Sequence, residues 1–206
     1  MTAVERLRQA VIAGDRDQAK TATQEALDEG LEARTIVVDG IAAAMEVVGE
    51  KFRSNEFFVP ELLIAQRAMK EALSIMSDAD VDHIGTVVIG TVKGDLHDIG
   101  KNLVAAMLEG AGFRVVDLGV DVSPETFVAA AKDNSAQVIA MSALLTTTMG
   151  SMRDTVQAMS EAGLNDSVKV IIGGAPVTQS YADEIQAHGY APDAASAVEK
   201  TKGLVP

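Results

Sequence analysis

From residue 86 onward, short apolar runs rich in β-branched residues alternate with stretches of helical periodicity. The runs are Thr86–Thr91, Phe113–Leu118, Val138–Ser142 and Val168–Ile172, with a weaker fifth near Tyr190-Ala191. Between and after them, helices are predicted over Ile99–Gly110, Pro124–Asn134, Met152–Gly163 and Gln179–Gly189, and from Asp193 onward. Strands that are apolar throughout, not alternately, are buried on both faces. Separated by helices, they form a parallel sheet with helices packed on either side.

Five βα units in a row predict an α/β domain over 83–206, a flavodoxin-like, doubly wound, five-stranded parallel sheet. The first 82 residues have a different rhythm. Val4, Leu7 and Val11 recur at helical spacing before Gly14, and Asp15 with Gln18 reads as the start of a second helix ending near Gly30. Val37, Ile41, Met45, Val48 and Phe52 make one stripe of a third. Val59-Pro60-Glu61 opens a fourth, with Pro60 at its first position, and Leu62, Ala65, Met69, Ala72, Leu73 and Met76 give its buried face. Residues 1–82 are therefore expected to form a four-helix bundle, with Met45, Met69 and Met76 in its core.

Composition narrows the chemistry. The net charge of −13 disfavours nucleic acid and anionic membranes, and suits a basic protein partner. The absence of cysteine excludes disulfides, thiolate metal sites and a cysteine nucleophile. No apolar run is long enough to span a bilayer, and Met1-Thr-Ala-Val-Glu-Arg does not read as a signal peptide, so a cytoplasmic location is expected. There are no paired carboxylates suited to acid–base catalysis, no Ser-His-Asp order and no P-loop.

What remains is carried by the loops at the carboxyl edge of the sheet, where ligands bind in such folds. They contain Gly94-Asp95-Leu96-His97-Asp98-Ile99-Gly100, then Ser142-Ala-Leu-Leu-Thr146-Thr147-Thr148, then Gly173-Gly174-Ala175-Pro176, then Tyr190-Ala-Pro-Asp193-Ala194. Glycines and alanines let a bulky ligand approach the backbone, and hydroxyls add a few directed hydrogen bonds. His97 has two readings, a satisfied loop histidine or a metal ligand whose second nitrogen is fixed by Asp95. His83 and His188 read as surface residues, so no second histidine joins it. One side chain cannot hold a bare ion that wants three or four ligands. A metal held by His97 must arrive in a macrocycle that needs only an axial ligand.

The pattern Asp95-x-His97-x-x-Gly100, Ser142-x-Leu144 and Gly173-Gly174 resembles the cobalamin-binding signature of methionine synthase and of methyltransferase corrinoid proteins. Val47-Val48-Gly49-Glu50-Lys51-Phe52 and Phe57-Phe58-Val59-Pro60-Glu61-Leu62-Leu63 resemble the helical cap that precedes the cobalamin domain in those proteins. The resemblance implies that His97 is the lower axial ligand of cobalt. Asp95 would then bond the other imidazole nitrogen, and Thr148 would extend that relay where methionine synthase has serine. His97 and Asp95 are on this view the catalytic pair. The remaining cofactor contacts implied are Gly94, Leu96, Asp98, Ile99 and Gly100 in the first loop; Ser142, Leu144 and Thr146 near the buried tail base; Gly173 and Gly174 beside the nucleotide tail; Ala194; and Phe58 over the upper corrin face.

The function implied is a non-catalytic corrinoid subunit that shuttles a methyl group. A substrate-specific methyltransferase would load it, and a second methyltransferase acting on tetrahydrofolate, a related pterin or coenzyme M would unload it. A reductive activation protein is a further partner, and residues Ser77–Asp82 would be the hinge that moves the cap. The alternatives are the cobalamin-binding subunit of an adenosylcobalamin-dependent mutase, against which the cap argues, a cobalamin-sensing regulator, and, remotely, a receiver domain. Phe58 also reads as simple core, Lys101 and Asn102 as ordinary surface residues, and Gly173-Gly174 alone as a turn.

Overall fold

Helix α1 (Ala3–Ala13) starts at Thr2, whose hydroxyl accepts from the Glu5 N–H while the Glu5 carboxylate accepts from the Thr2 N–H. It ends at Gly14, in the left-handed region at φ 72°. Asp15 caps α2 (Arg16–Asp28) by accepting from the Gln18 N–H. The computed structural model describes residues 1–76 and 83–205. It resolves into two compact units, Met1–His83 with Glu109–Gly112, and Ile84–Leu108 with Phe113–Pro206. The expected boundary after residue 82 and the expected hinge at Ser77–Asp82 lie outside the described residues.

The third helical segment departs from the expectation of one regular helix. A short α3 (Ala33–Thr35) leads into a π-helical stretch, Ile36–Ala42, and only then into α4 (Ala43–Arg53). The spacing of Val37, Ile41 and Met45, four and four, is compatible with either kind of helix, and the wider turn is seen only in the structure. The wider turn keeps Ile36, Val37, Ile41 and Met45 all buried. Helix α5 (Val59–Leu73) begins one residue earlier than expected, with Pro60 at its second position and the Glu61 carboxylate accepting from the Phe58 N–H. Its Leu62, Ala65, Met69 and Ala72 are fully buried, as methionines at core spacing should be.

The second unit alternates β1 (Thr86–Thr91), α6 (Ile99–Gly110), β2 (Arg114–Asp117), α7 (Pro124–Asp133), β3 (Val138–Ser142), α8 (Gly150–Glu161), β4 (Lys169–Gly173), α9 (Gln179–Glu184), β5 (Gly189–Ala191) and α10 (Ala194–Lys202). The strands are all parallel in the order β2-β1-β3-β4-β5. This is the doubly wound α/β sheet expected, with β1 and β3 adjacent at the point where the order reverses. Val88, Ile139, Val170 and Ile172 form its core with Phe127 from α7 and Met152 and Met159 from α8. α9 stops five residues short of the expected Gly189, because Gln186 turns into the left-handed region at φ 59° and frees the chain to enter β5.

His188 lies in that turn. It is exposed as expected, yet its Nδ1 accepts from the Val170 N–H at 3.0 Å, so the bond needs an unprotonated Nδ1. Partial burial first, and then Lys169, lower its pKa from the ordinary 6.5. A histidine with a lowered folded pKa gives stability that is complete above the unfolded value and is lost as the pH falls below it. The melting temperature is therefore expected to drop between pH 7.5 and 5.5 by a smaller margin in His188→Asn, whose Oδ1 can accept the same bond without titrating. Equal drops in both proteins would refute this.

Candidate functional site

The site is built at the carboxyl ends of β1 and β3, from the loops that follow them. β1 ends at Thr91, a buried residue whose hydroxyl donates to the His97 carbonyl at 2.9 Å. This bond draws the Lys93–Asp98 loop back over the strand end. Gly94 at φ 84° makes the bend, and Asp95 turns inward to complete burial.

Asp95 is the centre of the loop. Its Oδ1 accepts from the His97 backbone N–H at 3.1 Å and pairs with His97 Nδ1 at 2.7 Å. Its Oδ2 accepts from the N–H groups of Leu144 at 2.8 Å and Leu145 at 3.2 Å, and from the Thr148 hydroxyl at 2.8 Å. The Thr148 oxygen also stands 2.8 Å from the Leu145 carbonyl. A hydroxyl has one proton, and the bond to an ionised acceptor is the stronger. Burial opposes ionisation of Asp95. The His97 ring, the Leu144 and His97 backbone N–H groups and the Thr148 hydroxyl outweigh it, and hold the carboxyl well below the usual carboxylate range.

An ionised carboxylate can only accept, so His97 Nδ1 must carry a proton. In the neutral ring the lone pair then lies on Nε2, the nitrogen that coordinates metals. The His97 side chain is 51% exposed, and Nε2 has no hydrogen-bond partner among the described residues. Around it, Leu96 is 71% exposed, Ile99 78%, Leu144 45% and Leu145 42%. Four large apolar side chains left in water, on the two loops and at the start of α6, make a surface for a flat, largely apolar ligand. Among the described residues no group of three or more His, Cys, Asp or Glu side chains could hold a bare ion. The donor set fits a metal already held by a macrocycle.

The structure brings Gly94, Asp95, Leu96, His97, Asp98, Ile99 and Gly100 together with Leu144 and Thr148. Ser142 ends β3, where its carbonyl accepts from Val92 N–H, and Thr146 is exposed on the loop beyond. Gly173 and Gly174 lie at the end of β4, and a Cβ on either would strike backbone, the Ala191 oxygen at 2.9 Å or the Ala143 oxygen at 1.9 Å. Ala194 opens α10 and is buried. Phe58 belongs to the helical unit and is 60% exposed, which rules out the core reading of its ring.

One reading changes. Lys101 is not an ordinary surface residue: its side chain is 2% exposed, and its ammonium donates to Asp117 Oδ2 at 2.5 Å and to Asn102 Oδ1 at 2.6 Å. Asn102 is exposed as expected. The sequence reading also missed Leu145, Thr91 and Asp121, which act through backbone or single hydrogen bonds. Leu145 alone left a signal, as the second of two consecutive leucines in a loop.

Replacing Asp95 by Asn is expected to destabilise the protein by about 3 kcal/mol, read by urea unfolding. An amide has one acceptor oxygen, so its NH₂ group must face either the two His97 donors or those of Leu144, Leu145 and Thr148. The carboxylate's contribution is complete above the ordinary value of 3.8 and is lost only as the pH falls below it, so the full loss reads out at pH 7. Unchanged stability of Asp95→Asn would show that the five bonds do not act together.

Comparison with known proteins places this geometry. Residues 85–199 match the B12 binding domain family, and residues 3–76 match a second family also described as a B12 binding domain. The chain is 41% identical to a corrinoid protein of Desulfitobacterium hafniense, over 97% of this chain and 95% of that one. It is 42% identical to the trimethylamine corrinoid protein of Methanosarcina barkeri, over 98% and 96%. Among solved structures, it superposes on the methanol:cobalamin methyltransferase complex of Methanosarcina barkeri with a TM-score of 0.90 at 29% identity, covering 98% of this chain and 79% of that one. A cobalamin-binding protein of Desulfitobacterium hafniense gives 0.78 at 30% identity, with 98% of each covered. The family matches define a B12-binding protein, and the chain belongs to the corrinoid proteins of methyltransferase systems. Its cofactor is cobalamin or a related corrinoid. No helix among the described residues is long and apolar enough to cross a membrane.

Proposed function

We propose that this chain is a methyl carrier, loaded by a substrate-specific methyltransferase and unloaded by a second one. The observation that carries the reading is the imidazole of His97, fixed at Nδ1 by an ionised, buried carboxylate and open at Nε2 among exposed leucines and isoleucine. The bound corrinoid would supply a cobalt centre able both to take and to give up a methyl group. His97 Nε2 would hold the cobalt, and Asp95 would keep the ring in the tautomer that coordinates. Thr148 would steady the carboxylate from the side away from His97. Leu96, Ile99, Leu144 and Leu145 would cover the apolar underside of the macrocycle and exclude water from it. Ser142, Thr146, Gly173, Gly174 and Ala194 would receive the nucleotide tail.

The names of the relatives favour a methylated amine as donor, since trimethylamine and dimethylamine corrinoid proteins are 39–43% identical to this chain. The acceptor enzyme would act on tetrahydrofolate, a related pterin or coenzyme M, and a reductive activation protein would be the third partner. The test is reconstitution with cobalamin, then incubation with a methylamine-specific methyltransferase and its substrate. Transfer of the methyl group to the protein-bound cobalt, seen in the visible spectrum, is expected. A chain that stays colourless after desalting would end the corrinoid reading. One that holds cobalamin but accepts no methyl group from any partner would end the carrier reading alone.

A further inference from the structure

The His97 loop is gripped from an unexpected side, by the segment that follows β2. Asp121 is a non-glycine residue in the left-handed region, at φ 56°. Strain of that kind persists where the surroundings over-determine it. Asp121 bonds the loop twice: its Oδ1 accepts from the Gly94 N–H at 2.7 Å, and its own N–H donates to the Asp95 carbonyl at 3.0 Å. The second grip is on the far side of His97. Lys101 sits in the first turn of α6, where the helix dipole disfavours a cation, and its side chain is buried. It is nonetheless held there by Asp117 at the end of β2, whose other oxygen accepts from the Gly119 N–H at 2.9 Å. Asn102 links the pair onward, accepting from Lys101 and donating to Asp98 Oδ2 at 3.1 Å.

We infer that the Asp117–Asp121 segment is a clamp that sets the pitch of the His97 imidazole, with Asp121 and the Lys101–Asp117 pair as its positioning residues. One grip lies on Gly94 and Asp95, just before His97, and the other on Lys101 and Asp98, just after it. Freed of either, the loop keeps its hydrogen bonds to the Leu144–Thr148 loop through Asp95 Oδ2 but loses the constraint on the direction of Nε2. This rests on the corrinoid reading of His97 only for what Nε2 ligates; the positioning itself is a property of the cofactor-free chain.

The experiment therefore has two readouts, on protein labelled with ¹⁵N-histidine. In the cofactor-free form, proton NMR reads the His97 Nδ1–H that donates to Asp95. In the cobalamin-loaded form, reduced to Co(II), electron paramagnetic resonance reads the two-line splitting that a ¹⁵N axial ligand imposes. Asp121→Gly removes the acceptor without adding backbone strain, and Asp121→Asn restores an acceptor in a residue that tolerates the left-handed region. The expected result is loss of the Nδ1–H signal to exchange, and about tenfold weaker cobalamin retention with loss of the splitting, in Asp121→Gly, with rescue in Asp121→Asn. Lys101→Met is the second variant should Asp121→Gly not fold; it leaves Asp117 in contact with solvent and is expected to give the same losses. A sharp Nδ1–H signal in folded Asp121→Gly or Lys101→Met overturns the clamp, even if stability has dropped. A parent protein with a sharp Nδ1–H signal but no ¹⁵N splitting overturns the axial-ligand reading and leaves the clamp standing.

Discussion

His97→Gly is expected to weaken cobalamin retention by at least about tenfold and to abolish the spectral signature of a protein nitrogen on cobalt. The size of the effect follows from the lack of any substitute. His83 and His188, the other two histidines, lie outside the loop, and among the described residues no cluster of ligating side chains is available to take over. The cost to folding is expected to be small, about 1 kcal/mol or less, because the ring is half exposed and Asp95 keeps four of its five donors. Binding and folding are thus separable at this position. Free imidazole at millimolar concentration is expected to restore the signature by occupying the space the glycine leaves. Gel filtration with cobalamin, visible spectra and urea unfolding together make the measurement. A variant that retains cobalamin as tightly as the parent, with the same spectrum, would remove His97 from the site.

The fold was legible because its signals are repeated. Five apolar runs and five helical stretches in alternation leave little choice but a parallel sheet, and each strand lies within two residues of where its run predicted it. The departures are local conflicts that periodicity averages away. The four-residue spacing of Val37, Ile41 and Met45 is compatible with a helix at low resolution, and only packing shows it to be a π-helical stretch. Pro60 can occupy the first or second position of a helix, and the Glu61 bond to Phe58 N–H decides for the second. The site divides in the same way. Asp95 and His97 could be read because side-chain chemistry acts between them, and Thr148 is reached only through the family resemblance. Asp121 and Thr91 could not, because they act on backbone N–H and C=O groups, which every residue has. Lys101 was misread for a related reason: a lysine in the first turn of a helix is ordinary until its partner, sixteen residues on, is known. Phe58 is the opposite case, an aromatic left divided between simple core and the cofactor cover that the resemblance implies, and its 60% exposure removes it from the core.

The glycines of the motif are expected to divide into two kinds, and a pair of alanine substitutions makes the largest contrast the structure offers. Gly174→Ala should cost about 3 kcal/mol or more, enough to lower the yield of folded protein. Its φ of 129° lies where side chains are rarely tolerated, and the new Cβ would lie 1.9 Å from the Ala143 carbonyl oxygen, which belongs to backbone and cannot swing away. Ala143 directly precedes Leu144, whose N–H donates to Asp95, so any shift that relieves the clash also pulls on the carboxylate that holds His97. Gly100→Ala should do the reverse. It lies in the first turn of α6, with no atom within 4 Å of the added Cβ, so alanine is expected to raise stability by about 0.5–1 kcal/mol through helix propensity and a less flexible unfolded chain. Yet it adds a methyl group three residues from His97, on the side where the proposed reading lays the corrinoid, and cobalamin retention should fall. Urea unfolding and cobalamin titration of the two variants separate the cases. If Gly100→Ala bound cobalamin as well as the parent, the open space beside Gly100 would not be part of the cofactor's bed. If Gly174→Ala were as stable as the parent, the close approach of the turn after β4 to the Ala143 carbonyl would not be what fixes that glycine.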